Sequence, residues 1–321
     1  MAKRTPTRTT KPDSRPRSAR MGTPSNSTTS QQRSTAIVSL ARSLEAARTI
    51  VLATASRETN LTIAELSPEF ERMVRTLEYY ASTTADGTWF DVARTPARSA
   101  SIGPGHPLRA VRIPLGNVLV FGASNFPLAY GVCGGDTASA LAAGCSVTVK
   151  EHPAHPKTGR LLSRIVLESL DSAGMRPWFR YVRNSDPTDF SVAKALIADP
   201  STAAIGFTGS VAGGLAIEKL ARERAIPIPV FAEMGSLNPV IITEAALGSR
   251  GSEIASALAS SIAMRIGQQC TRPGIIFLEP GVGHEGFIGA LAAQLATAEP
   301  RRMLSPWCGA RRALTARTPS Y

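Results

Sequence analysis

The chain is poor in the residues from which metal centres and disulfide frameworks are built, with four cysteines and four histidines among 321 residues. Cys133, Cys145, Cys270 and Cys308 form no C-x-x-C pair and no regular spacing, which argues against a disulfide scaffold and a zinc ribbon. A reducing, cytoplasmic setting is therefore expected. The chain has no run of about 18 apolar residues and no apolar segment of a secretory signal, so no membrane partner is expected. Acid is scarce at both ends. Residues 1–35 carry eight Lys or Arg against Asp13 alone, and residues 301–321 carry five Arg and no acid. These ends account for the whole formal charge of +12, because residues 36–300 hold 23 basic and 23 acidic side chains. A protein that grips nucleic acid through clustered arginine is one reading of such tails, but the neutral centre counts against it.

The first 35 residues are also nearly devoid of apolar side chains, so burial cannot offset the entropy of ordering them and a disordered basic tail is expected. An Arg-rich, acid-poor start also has the look of an organelle transit peptide, but Pro6, Pro12, Pro16 and Pro24 interrupt the amphipathic helix such a signal needs. A solvated tail, or an extension upstream of Met21, fits better.

From residue 36 the pattern turns helical. Ile37, Leu40, Ala41, Leu44, Ala47 and Val51 recur at three- and four-residue steps, and Phe70, Met73, Val74, Leu77 and Tyr80 do so again. The spacing predicts two amphipathic helices. Short apolar runs then alternate with longer helical segments. Strands are expected at 117–121, 146–150, 179–182, 203–207 and 229–232, and helices around 136–143, 158–173, 190–197 and 212–224. This alternation predicts an α/β fold with a doubly wound, mostly parallel sheet, Rossmann-like and buried on both faces over residues 36–232. A second, incomplete α/β region is expected over 233–300, with strands at 240–243 and 275–279 and helices at 252–266 and 286–298. Residues 301–321 show no defensible period.

Ligands of such sheets lie beyond the carboxyl ends of the strands, where four segments carry chemistry. Cys270, in GQQCTRPG between a predicted helix and a strand, is a thiol that a fixed turn could aim, although a loop cysteine is more often structural. Glu233, in FAEMGSLNP, follows a strand directly, where desolvation would raise a carboxyl toward the range of a useful base; a strand-end surface ion pair is the plainer alternative. Asn125, in FGASNFP, could donate its amide to a developing oxyanion, or simply form a turn. In GFTGS, followed by Gly213 and Gly214, glycines would let backbone approach a pyrophosphate at a helix start, but the spacing departs from G-x-G-x-x-G.

SNFP, FTGS, FAEMGSLNP and GQQCTRPG, in this order and each at an element edge, together resemble the aldehyde dehydrogenase superfamily over roughly residues 36–298. The stretch 118–156 and the FAEMGS variant look closest to the branch with 2,5-dioxovalerate (α-ketoglutaric semialdehyde) and NADP-dependent fatty aldehyde dehydrogenases. The resemblance implies Cys270 as nucleophile, Glu233 as general base and Asn125 as oxyanion donor. It also implies a dinucleotide held by Ser124, Lys150, Phe207, Thr208, Gly209, Ser210 and Gly213. Lys150 matches the family lysine at the adenosine ribose or its 2'-phosphate. Pro153 stands where NAD-preferring members often place glutamate, so NADP is preferred over NAD. The implied partner is a small aldehyde, with no metal and no specific nucleic acid.

Family members continue past the cysteine with a Glu-x-Phe-Gly-Pro type motif, the rest of the catalytic domain and an assembly strand, none of which this sequence contains. A C-terminally truncated catalytic domain is therefore expected, with apolar surface uncovered and the family's homo-oligomerisation in question. Two outcomes remain open: oxidation of an aldehyde to an acid, or an inactive fragment that retains at most nucleotide binding.

Overall fold

The structure is a computed structural model that describes residues 28–87, 93–95, 108–184, 186, 188–281 and 283–304. Most of the basic tail, Cys308 and the chain after residue 304 lie outside the described residues, and with them the expectation of disorder at the N-terminus. Residues 30–35 correct one boundary. They form the first turns of α1 (Ser30–Ala46), because Thr29 and Gln32 make a reciprocal capping box that starts the helix ahead of the apolar stripe. Arg33 is buried there, its Nε donating to the Ala142 carbonyl at 3.2 Å.

The helix expected from residue 36 to 51 is two helices. Ala47, at φ −94° and ψ 6°, ends α1, and α2 (Arg48–Thr59) follows at once, closing on Asn60 in the left-handed region. A second capping box, Thr62 with Glu65, opens α3 (Ile63–Asp86). A short antiparallel pair, β1 (Ala93–Thr95) with β2 (Leu108–Ala110), was not legible in the sequence, since each strand has three residues.

Five strands make the main sheet: β3 (Asn117–Phe121), β4 (Ser146–Lys150), β5 (Phe179–Val182), β6 (Thr202–Thr208) and β7 (Val230–Glu233). All pair in parallel, in the order β5-β4-β3-β6-β7, so the chain reverses its direction of winding between β3 and β6. Along β3 the alternation is buried on both sides. Val118 and Val120 join the core built with α1, α2, α3, α4 (Gly135–Ala142) and α5 (Pro156–Ser172), while Leu119 and Phe121 join the core under α6 (Ser191–Ala198) and α7 (Val211–Arg222). A parallel strand covered by helices on both faces has no solvent side, which is why NVLVF reads as a continuous apolar run.

A smaller unit follows, in which β8 (Pro239–Ile242) pairs in parallel with β9 (Ile275–Leu278) and packs on α8 (Glu244–Ala263) and α9 (His284–Ala296) through Ile242, Leu247, Leu258 and Phe287. α8 is capped by Thr243 and kinked at Arg250, whose φ of −143° and ψ of 22° are not helical, so its second segment begins close to the expected residue 252; it stops at Ala263 where it was expected to reach 266. Met264 leaves the helix first, with ψ 136°, and Arg265 and Ile266 beyond it, at φ +50° and +63°, hold left-handed conformations that a right-handed helix does not contain and that β-branched residues rarely adopt.

Candidate functional site

The reversal between β3 and β6 is where a doubly wound sheet opens a crevice at its carboxyl edge. Here the turn after β3 carries Ser124 and Asn125, the turn after β6 carries Gly209 and Ser210, and Glu233 ends β7 beside Thr208, whose neighbour Gly209 donates its N–H to the Glu233 carbonyl at 3.0 Å. The smaller unit faces this edge. β8 begins on the last residue of FAEMGSLNP and β9 one residue after GQQCTRPG, so the pairing of Pro239 with Ile275 sets Asn238 next to Gly274 and draws the GQQCTRPG loop against the FAEMGSLNP turn. The result is a cleft of about 560 Å³ whose walls include Ser124, Asn125, Thr208, Gly209, Ser210, Glu233 and Cys270.

Cys270 is exposed in this cleft and its loop is tightly held. The Asn238 amide donates to the carbonyls of both Cys270 (2.6 Å) and Arg272 (2.9 Å), and Gly274 N–H donates to the Leu237 carbonyl at 2.8 Å. A Cβ at Gly274 would stand 2.7 Å from that carbonyl, so the glycine is required by close backbone approach. Asn238 itself sits at φ +45°, which asparagine tolerates. Across the cleft, Asn125 Nδ2 donates to the Gln268 carbonyl at 2.5 Å, two residues before the cysteine. One of its two amide hydrogens is thereby used to dock the turn on the Cys270 loop.

Glu233 does not occupy the desolvated position its place after a strand suggested. β7 is an edge strand, and the side chain is exposed. Three residues expected at a dinucleotide lie outside the cleft. Lys150 is half-buried at the end of β4, where burial pushes its ammonium below the usual lysine range against the opposing pull of Glu151 and Asp189. Phe207 belongs to the core under α6 and α7, and its ring lies over Gly209 and Gly213, filling the space that a Cβ at either would enter. The small size of these glycines thus serves the packing of Phe207. Ser210 caps α7, accepting from Gly213 N–H at 3.2 Å, so the free N–H groups and positive dipole end of that helix point toward the cleft.

Three parts of the site escaped the sequence. Asn238 was visible within its motif but had no partner until Cys270 was placed. Glu69 and Arg265 form a buried ion pair at 2.6 Å beside the Asn125 turn. The signal for it was Glu69 on the apolar stripe of α3, three residues after Leu66 and four before Met73. Met303 and Leu304 also line the cleft, tied down by Leu304 N–H donating to Gln268 Oε1 at 3.2 Å and by Arg301, which grips Glu65 at 2.9 Å.

The Cys270 loop and the amide-bearing Asn125 turn meet at the crevice of a doubly wound sheet, the place where sheets of this class bind ligands. The profile of the Aldehyde dehydrogenase family matches residues 13–306, and the chain belongs to that family. It is 42% identical over 243 residues to alpha-ketoglutaric semialdehyde dehydrogenase 2 of Azospirillum brasilense, covering 75% of this chain and 46% of that protein. It is 37% identical over 282 residues to the alpha-ketoglutaric semialdehyde dehydrogenase of Acinetobacter baylyi, covering 87% and 52%. The fold is that of the aldehyde dehydrogenase KauB from Pseudomonas aeruginosa, with a TM-score of 0.71 at 23% identity over 87% of this chain and 52% of that one. The chain therefore spans about half the length of the curated relatives it matches. Among the described residues no helix is long and apolar enough to cross a membrane.

Proposed function

We propose that this chain carries the cofactor portion, over residues 36–232, and the nucleophile-bearing start of the catalytic portion, over 233–300, of an enzyme oxidising an aldehyde to a carboxylic acid with NAD(P). The observation that carries the reading is the convergence of Cys270, Asn125 and Glu233 on one cleft at the winding reversal of the sheet. The Cys270 thiolate attacks the aldehyde carbon, forming a C–S bond as the carbonyl π electrons pass to oxygen. The Cys270 backbone N–H and the second Asn125 amide hydrogen receive that oxyanion. Nicotinamide, when bound, accepts the hydride that leaves the same carbon. That hydride is expelled as the oxyanion's electron pair re-forms the C=O bond, which leaves a Cys270 thioester. Glu233 takes a proton from water, whose oxygen displaces the Cys270 sulfur and releases the acid.

The residues suit a dinucleotide. The N-terminus of α7 favours pyrophosphate, and half-buried Lys150 gains by facing an anion. With Pro153 in place of an acid near Lys150, NADP is the preferred cofactor and NAD the alternative. The named activity of the two bacterial relatives, together with Arg272 in the cleft wall, favours a semialdehyde bearing a carboxylate.

The test is single-turnover reduction of NADP and NAD with a panel of semialdehydes. We expect a burst of reduced cofactor that falls by about 10³-fold or more in Cys270→Ala. No burst from folded protein that still binds nucleotide would overturn the catalytic reading and leave a nucleotide-binding chain.

A further inference from the structure

We infer that Glu69 and Arg265 are positioning residues whose buried ion pair fixes the Asn125 turn against the Cys270 loop. The inference rests on the proposed roles of Cys270 and Asn125 and adds two residues that touch neither the cleft nor a reacting atom.

The connections form a closed circuit. Arg265 Nη2 donates to Glu69 Oε2 at 2.6 Å and to the Asn125 carbonyl at 2.9 Å. Glu69 Oε1 accepts the N–H groups of Leu128 (2.8 Å) and Ala129 (3.1 Å), so one carboxylate holds both the arginine and the far end of the SNFPLA turn. The guanidinium also lies 4.0 Å from the centre of the Phe126 ring. From the other side, Asn125 Nδ2 reaches the Gln268 carbonyl at 2.5 Å, and Gln268 N–H returns to the Arg265 carbonyl at 3.2 Å. Every link joins α3, the turn after β3 or the loop that leads to Cys270.

Stability alone gives little reason for such a pair. Both residues are buried, at 4% and 7% exposure, Arg265 Nε has no partner among the described residues, and buried ion pairs are often no better than apolar packing of similar volume. Arg265 and Ile266 also hold left-handed backbone that neither residue favours. Burial pushes the Glu69 carboxyl up, while Arg265 and the two backbone donors pull it down. What the arrangement does provide is a rigid three-way junction one residue from the Cys270 side of the cleft and directly beneath Asn125, where small displacements of donor and nucleophile would be costly.

The experiment compares Arg265→Ala, Arg265→Lys, Glu69→Gln and the double variant Glu69→Gln/Arg265→Met by peptide-resolved amide exchange. In the same samples, the single-turnover rate and nucleotide affinity are measured. Exchange should accelerate about tenfold or more in residues 124–130 and 264–272 while α5 and β4 keep their protection. The double variant should match the single ones, since each breaks the same circuit, and Arg265→Lys should restore part of the protection. The turnover rate should fall with nucleotide affinity unchanged within about twofold. If Arg265→Ala fails to fold, the double variant leaves no buried charge and carries the test. Exchange reads placement even where wild type gives no reduced cofactor, so loss of the catalytic reading and loss of this one are separable. Exchange that is unchanged, that rises uniformly through the chain, or that adds across the two positions would overturn the inference.

Discussion

The five-stranded sheet and the β8-β9 pair are built from similar strands and end in different surroundings. β3, with sequence NVLVF, is buried at every position, whereas β8 and β9, PVII and IIFL, alternate between inside and outside. Val240, Ile242, Ile276 and Leu278 pack on α8 and α9, while Ile241 at 77% exposure and Phe277 at 55% face outward with Ile275. The strand period is two in both cases. What differs is the number of covering layers: helices lie on both faces of the five-stranded sheet and on one face of the pair. A strand's hydrophobicity thus reports how many faces could be buried, and the layers around it decide how many are.

This contrast can be broken by paired substitutions. Leu119→Ala in β3 should cost about 3–5 kcal/mol in urea unfolding, because a fully buried leucine between two layers leaves a cavity that cannot collapse. A cost under about 1 kcal/mol would mean that the two-layer cover is looser than it looks. Where the end of the described chain meets the first helices, Arg301 holds the Glu65 carboxyl at about 2, below the usual carboxylate range, with its ordinary value near 4.5. A depressed acid contributes stability that is present above its unfolded value and lost as pH falls through its folded one. The contribution should therefore fade between about pH 4.5 and 2, and Arg301→Ala should flatten that part of the stability profile. Partial exposure of both groups limits the effect to about 1 kcal/mol or less. The smallest change is expected for Ile241→Thr, within about 0.5 kcal/mol. A loss above about 2 kcal/mol there would show that the outer face of β8 and β9 is covered in solution, which would erase the contrast.

Much of the fold was legible before any coordinates. β3, β4 and β5 fall at the expected residues because each is a compact apolar run bounded by turn residues, and the alternation with helices specified a parallel, doubly wound sheet. The exceptions share one cause. The start of α1 at Ser30, the break at Ala47 and the early end of α8 all depend on caps and single dihedral angles, to which hydrophobic periodicity is blind. The site was legible as four motifs. Their meeting was not, since 143 residues separate Asn125 from Gln268 and 196 separate Glu69 from Arg265.

By itself, the sequence picked out the four motifs that meet at the cleft and set each at an element edge, because side-chain type and strand period are local properties. Only the tertiary structure decided that Glu233 stands exposed on an edge strand, that Phe207 spends its ring on packing, that Asn238 clamps the Cys270 loop and that Glu69 has a buried partner. Each of these depends on which segments lie beside one another, and that is set by strand order and layer packing, which no single stretch of the chain contains.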